Sequence, residues 1–267
     1  MSLQLSGNSE RGRNQYELFE GRPVDKMPVL IKEGYSPASV AVIVDRRLNA
    51  PEEVRHAWDN NYFWTADGAS TDKTGIAVLT LDASPLRGIN SDSVLYNGAL
   101  QLDSETYNAL KENNASITLS ANEVSDAHGK GLLKQGGIWQ PANSAVGKAI
   151  GHWLRGKEIG SKDFQQYAQM VSNASGSSEV FRQYFDQSKP ETSHLRSVVV
   201  NRANYNSNVG SNSNLDLKYG RLVGVAPEAP FARAKELEAR VTDALEAVRA
   251  FEFNGTVYAP VSGVQLK

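Results

Sequence analysis

The chain contains no cysteine, which excludes disulfide bonds, cysteine nucleophiles and thiolate metal sites. It also lacks a strong charge of either sign. Its 28 lysines and arginines face 30 aspartates and glutamates, for a net charge of −2. No overall field would therefore draw the chain to nucleic acid or to an anionic membrane, and any such binding must come from a local patch.

Long apolar runs are missing as well. The longest ones, such as residues 40–44, are far too short to cross a bilayer, so we expect no membrane partner. The first 21 residues are polar and charged and contain no apolar stretch, which predicts the absence of a secretory signal and a cytoplasmic location.

What the chain does contain is the composition of a globular protein. Hydrophobic residues make up 40% of its 267 residues, which is enough to build a sizeable core. The first 26 residues show no hydrophobic period and predict an N-terminal arm. Residues 27–267 predict a single globular domain, in which residues 129–190 would form a helical subdomain.

Runs of β-branched residues alternate with helical patterns along the chain. We predict strands over residues 39–45, 75–82, 115–120, 194–200, 216–225 and 253–261. We predict helices over residues 51–58, 104–111, 143–155, 162–172, 178–187 and 231–251, and a polar loop over residues 60–73. The last helix would bury Leu237, Val241, Leu245 and Val248. The predicted fold is α/β or α+β, with a central mixed sheet of about five or six strands covered by helices.

Two predicted strands end on carboxylates, the first on Asp45 and the second on Asp82. Ligands of open α/β sheets bind outside the carboxyl ends of the strands. If the two carboxylates converge there, they would hold Mg²⁺ or share acid and base roles in catalysis. Arg46, Arg47 and Arg202 would lie nearby and pair with a phosphate. The alternative is that these charged residues only begin solvated loops.

A second pair of candidate catalytic residues is Asp216 and Lys218. On a strand the two side chains would lie on one face, where a metal-binding carboxylate beside a lysine suits phosphodiester hydrolysis. Such a site needs an upstream acid, and Glu191 lies at a tolerable distance before a predicted strand. The alternative is a salt-bridged surface of the strand.

The segment from Lys130 to Lys162 is basic, with aromatic rings within it. Lys134, Lys148 and Arg155 would contact a phosphate backbone, and Trp153 would stack on a base. The alternative is a solvated helix face with the tryptophan in the core.

Residues 201–214 are rich in asparagine and serine and predict a mobile surface segment with nothing to bury. Three functions remain consistent with the sequence. The first is an intracellular protein that handles nucleic acid or nucleotides, with nucleic acid or a phosphorylated ligand as its partner. The second is a small-molecule enzyme with a pocket near Asp45 and Asp82. The third is a non-catalytic component of an assembly, which would form a homo-oligomer.

Overall fold

The computed structural model describes residues 3–8 and 15–227 in full and, for the backbone alone, residues 251–253 and 256–258. The chain divides into two compact units, Met1–Ala226 and Pro227–Lys267. The second unit contains one antiparallel strand pair, β15 and β16, among its described residues. Residues 231–250 of the predicted helix, with its four apolar positions, lie outside the described ranges.

The described helices are α1 Pro23–Lys32, α2 Val40–Asn49, α3 Glu52–Asp59, α4 Ser84–Arg87, α5 Ser104–Glu112, α6 Ala121–Ala127, α7 Ser144–Trp153 and α8 Lys162–Ser175. The described strands are β1 Tyr16–Glu20, β2 Ser36–Pro37, β3 Phe63–Thr71, β4 Ala77–Thr80, β5 Leu95–Tyr96, β6 Ala99–Gln101, β7 Ser116–Leu119, β8 Leu132–Gln135, β9 Ile138–Pro141, β10 Glu179–Val180, β11 Gln183–Tyr184, β12 His194–Val200, β13 Val209–Gly210, β14 Arg221–Val225, β15 Phe251–Phe253 and β16 Thr256–Tyr258.

Eleven of the described strands form one mixed sheet. Its main path is β1-β14-β3-β12-β13-β11, and the remaining strands pair at its sides. Strands β14 and β3 run parallel, as do β11 and β13, whereas the other pairs are antiparallel. The predicted central mixed sheet with covering helices is therefore confirmed, and the fold is of the α+β class.

The core of the first unit lies where the central strands meet the helices. Trp64, Leu195 and Leu222, one from each of three neighbouring strands, pack there with Met27 of α1 and Leu110 of α5. Burying side chains of this size stabilises the fold by about 1.5–3 kcal/mol each. The sheet is therefore a rigid support for the loops at its ends.

The strand predicted over residues 39–45 is wrong, because these residues begin helix α2. The Ser39 side chain accepts a hydrogen bond from the Val42 N–H and caps the helix. All five residues from Val40 to Val44 are buried. A helix that is apolar on every side in its first turns shows no period of 3.6, so its sequence resembles a buried strand.

The loop predicted over residues 60–73 is also wrong, because strand β3 lies at the centre of the sheet. Every residue of β3 is buried, including polar ones. The register with β12 shifts between Ser197 and Val199, and polar side chains satisfy the backbone there: Thr65 donates to the Val198 carbonyl, and Ser197 donates to the Thr65 carbonyl. The polar sequence reflects this irregularity.

Two further predictions are corrected in the second half of the unit. Residues 178–187 form the short strands β10 and β11 rather than a helix, and residues 216–220 form turns that precede β14. The predicted arm contains β1, which pairs with β14 along its whole length. The domain boundaries drawn from the sequence stay a prediction. In the described ranges, no helix has the length and apolar character that crossing a membrane requires.

Candidate functional site

The two predicted strand-end carboxylates occupy different settings. Asp45 lies on α2, not at a strand end, and accepts a hydrogen bond from the Asn49 side chain at 2.9 Å. Asp82 does follow β4, and it pairs with Arg87 at 3.0 Å. Among the described residues, no group of three His, Asp or Glu side chains is placed to hold a metal ion. The predicted magnesium site therefore has no ligand set within the described part of the chain.

The lysines of the basic segment are exposed, and Lys134 and Lys148 make hydrogen bonds to neighbouring elements. Lys134 donates to Gln169 at 2.6 Å, whereas Lys148 donates to the Thr118 carbonyl and to Glu123. Trp153 is 1% exposed, and its Nε1–H donates to Gln183 at 3.1 Å. This burial corrects the predicted stacking surface, because the Trp153 ring faces the core.

Arg155 reaches from the end of α7 towards Asp67 in the middle of β3. The Arg155 guanidinium lies 3.7 Å from the Asp67 carboxylate, which is fully buried. Asp67 also accepts the N–H groups of Val40 and Asp82. Burial raises the pKa of Asp67, and Arg155 and the two N–H donors oppose that shift. Arg155 therefore contacts a buried carboxylate of the first unit, whereas the sequence predicted that it would contact a phosphate backbone.

His152 lies beside this group and is neutral at physiological pH. Burial lowers the pKa of His152 to about 4, a hydrogen bond with the Leu79 backbone opposes this, and Arg155 lowers the pKa further. An unfolded histidine takes up its proton near 6.5. Between these two values the unfolded state binds more protons, so the stability that neutral His152 contributes is lost as the pH falls.

We therefore expect acidification from pH 6.5 to pH 4 to destabilise the protein through His152 by about 1–3 kcal/mol. Urea unfolding across this pH range measures the effect. His152→Gln should flatten the dependence, whereas His56→Gln, on the exposed face of α3, should keep the wild-type slope. An unchanged slope in the His152 variant would contradict the assignment.

Arg46 and Arg47 both lie in the interior, which corrects their predicted place at a strand end. Arg46 packs over the ring of Tyr16, with 4.1 Å between its guanidinium carbon and the ring centroid. Arg47 has no exposed surface. It donates to the carbonyls of Trp58 and Asn61, both at 2.9 Å, and to the hydroxyl of Ser207 at 2.7 Å.

The sequence predicted that the Asn/Ser-rich segment, residues 201–214, has nothing to bury. The structure shows that part of it is buried. Residues 207–211 are all buried, and Val209 and Gly210 form strand β13. The residues around them are mostly exposed; these are Arg202, Asn204, Tyr205, Asn212, Asn214, Asp216, Leu217, Lys218 and Tyr219. The segment therefore combines small buried residues, which fix its course, with larger exposed ones.

Arg47 holds the first half of this segment. Ser207 has a φ of +48°, a left-handed backbone conformation that a residue other than glycine rarely adopts. Its hydroxyl contacts both Arg47 and the Tyr167 hydroxyl. Such a conformation persists only where its surroundings determine it, and here a buried guanidinium does so.

Arg196 of β12 holds the second half. It donates to Asp186 at 2.6 Å, to Asn214 at 3.0 Å and to the Asn97 carbonyl at 2.9 Å. His194 contacts the same Asp186 carboxylate. Burial raises the pKa of Asp186, but the hydrogen bonds from His194, Ser188 and Arg196 outweigh it and hold that pKa far below 3.8. Asp186 is therefore a charged anchor for Arg196.

These contacts bring four segments, 60–62, 96–98, 202–206 and 212–219, into one surface, which we call the loop surface. The hydroxyl of Tyr62 donates to the Tyr219 carbonyl at 2.9 Å, and the Leu215 N–H donates to the Gly98 carbonyl at 2.8 Å. The Asn204 amide lies 3.5 Å from the Asn60 side chain. Backbone and side chains thus connect all four segments.

Four large side chains of the loop surface are exposed to solvent. Tyr96, Tyr205, Leu217 and Tyr219 are 54%, 59%, 42% and 70% exposed. Arg202, Asp216 and Lys218, three residues singled out in the sequence, lie in the same segments and are exposed. Asp216 and Lys218 lie in turns, so the shared strand face predicted for them is wrong. No sequence pattern pointed to Arg196 and Asp186, because each is an isolated charged residue outside any motif.

No protein-family model matches the chain, and no curated protein matches it in sequence. A solved structure described as "Accommodation of massive sequence variation in Nanoarchaeota by the C-type lectin fold" matches it in three dimensions. The two chains share 17% sequence identity, with a TM-score of 0.55 over 81% of this chain and 100% of the other. The architecture described above is therefore similar to the C-type lectin fold.

Proposed function

We propose that this protein is a binding protein that recognises another protein through the loop surface. The observation that carries the proposal is the contrast between the exposed aromatic side chains and the buried arginines beneath them. Tyr205 and Tyr219 face solvent on segments whose course is fixed by Arg47 and Arg196. This proposed function requires no catalytic residue.

The residue types of the loop surface suit a protein partner. Tyrosine and arginine are enriched among the residues that contribute most to protein–protein binding. Loops of binding proteins often combine tyrosine with serine, glycine and asparagine, as residues 201–220 do. Because the segments are already ordered, less conformational entropy is lost when the partner binds.

The loop surface would tolerate substitutions at its exposed positions. The residues that fix the segment, such as Ser207, Asn208 and Ser211, are buried, whereas the large exposed ones lie outside this framework. The fold neighbour is described as accommodating massive sequence variation. We extend that property to this chain: its exposed positions would set specificity while its buried positions keep the fold.

Replacing the four large exposed side chains by serine tests the proposal. A phage-displayed library of random dodecapeptides, selected on the immobilised wild-type chain, supplies the probes. We expect the enriched peptides to bind Tyr96→Ser/Tyr205→Ser/Leu217→Ser/Tyr219→Ser at least about tenfold more weakly, because aromatic side chains in such positions contribute most of the affinity. Isothermal titration calorimetry measures the affinities.

The matched control removes exposed apolar side chains elsewhere. Val29, Ile31 and Ile138 are exposed on α1 and β9, and their triple serine variant should bind the peptides as the wild type does. Both variants should melt within a few degrees of the wild type, since surface substitutions rarely change stability by more than about 0.5 kcal/mol each. Peptides that bind the loop variant unchanged would refute the proposal.

Nucleic acid is the alternative ligand, because Arg202 and Lys218 add positive charge to the loop surface. A random-sequence single-stranded oligonucleotide distinguishes it. Binding that falls steeply with salt and disappears in Arg202→Glu/Lys218→Glu would assign the surface to nucleic acid instead. Homo-oligomer formation and a cytoplasmic location stay predictions.

A further inference from the structure

A concave site, separate from the loop surface, lies between α2 and the connection from α7 to α8. The cavity has a volume of about 340 Å³. Its lining includes five apolar side chains: Ala41, Val44, Leu48, Leu154 and Phe164. Pockets for small molecules usually measure about 300–1,000 Å³ and are lined mainly by apolar groups. The cavity therefore has the size and the lining of a small-molecule site.

Helix α2 leaves one stripe of its surface for this cavity. Ala41, Val44 and Leu48 follow one another at helical spacing, so they lie on the same face of the helix. The buried side chains of α2 at other positions pack inside the unit. Opposite the stripe, Phe164 begins the apolar face of α8. Helices α2 and α8 therefore both contribute apolar side chains to the lining of the cavity.

Among the charged residues that line the cavity, carboxylates outnumber cations. Asp45, Glu158 and Asp163 line it together with a single cation, Lys157. The hydrogen bond that Asp45 accepts comes from the neutral amide of Asn49, at 2.9 Å. The excess of carboxylates gives the cavity a negative potential, and its low-dielectric walls strengthen that potential.

We propose that this cavity binds a small molecule with an apolar body and one cationic group, such as an aromatic amine. The apolar body would contact the Leu48 and Phe164 side chains, and the ammonium group would lie near Asp45 and Asp163. A neutral or anionic molecule with the same body would gain the apolar contact but not the charge interaction. The cavity shares no residue with the loop surface, so this proposal is independent of the proposed function.

Tryptamine is a suitable probe, with 3-ethylindole as its neutral analogue and indole-3-propionate as its anionic one. We expect tryptamine to bind about tenfold more tightly than 3-ethylindole, and indole-3-propionate to bind more weakly than both. Amide NMR spectra of the full chain should show tryptamine-induced shifts at residues 41–49 and 154–164. The preference for tryptamine should shrink at high salt, since these carboxylates are partly solvated.

Two variants separate the charge from the cavity. Asp45→Asn/Asp163→Asn should lower the affinity for tryptamine about tenfold and leave that for 3-ethylindole unchanged. Leu48→Trp fills the cavity and should abolish the shifts caused by either molecule. Asp92→Asn/Asp126→Asn removes two carboxylates that are exposed and lie outside the cavity lining, so it is the charge-matched control and should bind as the wild type does.

Several results would overturn the proposal. Equal binding of the three molecules would show that the carboxylates select nothing. Shifts confined to the loop surface would show that tryptamine binds elsewhere. Wild-type affinity in the Asp45→Asn/Asp163→Asn variant would remove the proposed cation site, and because that substitution keeps both side-chain shapes, a folding failure does not obscure the result.

Discussion

Arg196→Ala should lower the free energy of unfolding by about 3–5 kcal/mol, because it leaves a buried carboxylate without its cation. Arg196 is 7% exposed, and its partner Asp186 is also largely buried. The substitution further removes the donors to Asn97 and Asn214, so segments 96–98 and 212–219 of the loop surface lose the side-chain link that β12 supplies. Stability and binding should therefore fall together.

Urea unfolding at pH 7 measures the change, and Arg87→Ala is the matched control. The pair of Arg87 with Asp82 is partly exposed, so its loss should cost no more than about 1 kcal/mol. Arg196→Lys keeps the charge but not the planar set of donors, and it should give an intermediate value. Equal costs for Arg196→Ala and Arg87→Ala would refute the anchoring role.

The sequence predicted most accurately those strands that have an unbroken apolar pattern. The observed strands β4, β7 and β12 fall within predicted ranges, because their β-branched runs are short and bounded by turns. Helices α5 and α7 overlap the predicted ranges 104–111 and 143–155, and the side chains of Asp103 and Asn143 cap them. These local signals were sufficient for the fold class.

The sequence failed where tertiary contacts decide the structure. Strand β3 carries Asp67, which accepts the first N–H of α2, and Gly68, where an added Cβ would lie 2.7 Å from the Leu195 side chain. Both residues are typical of loops, and only the packed structure explains them in a central strand. Helix α2 shows the opposite error. Its apolar first turns resemble a buried strand in sequence, but they form a helix whose residues Val40 to Val44 are buried.

The candidate site was predicted in pieces and not as a whole. Arg202, Asp216 and Lys218 drew attention as charged residues, and the structure places them together on the loop surface. Their neighbours Tyr205 and Tyr219 gave no signal, because exposure cannot be read from a residue type. The contacts that unite them come from Arg196 and Arg47, about which sequence spacing carries no information.

Arg47→Met should lower the free energy of unfolding by about 3–5 kcal/mol, since the buried carbonyl of Trp58 and the partly buried carbonyl of Asn61 lose their donor and each such loss costs about 1–3 kcal/mol. The four hydrogen bonds of Arg47 go to neutral oxygen atoms, and within the described ranges no carboxylate lies at ion-pair distance from it. Methionine fills much of the volume, so the loss reports on hydrogen bonds more than on packing.

The consequence for the loop surface distinguishes this substitution from a general loss of stability. Ser207 keeps its left-handed backbone only while Arg47 and Tyr167 hold its hydroxyl, so amide hydrogen exchange over residues 202–208 should accelerate more in Arg47→Met than elsewhere in the chain. Arg55→Met, at an exposed arginine of α3 that donates one hydrogen bond to the Ala50 carbonyl, should cost no more than about 1 kcal/mol and leave the exchange over residues 202–208 unchanged. If Arg47→Met speeds exchange uniformly over the whole first unit, the arginine stabilises the fold without ordering the surface, and the link between the buried framework and binding fails.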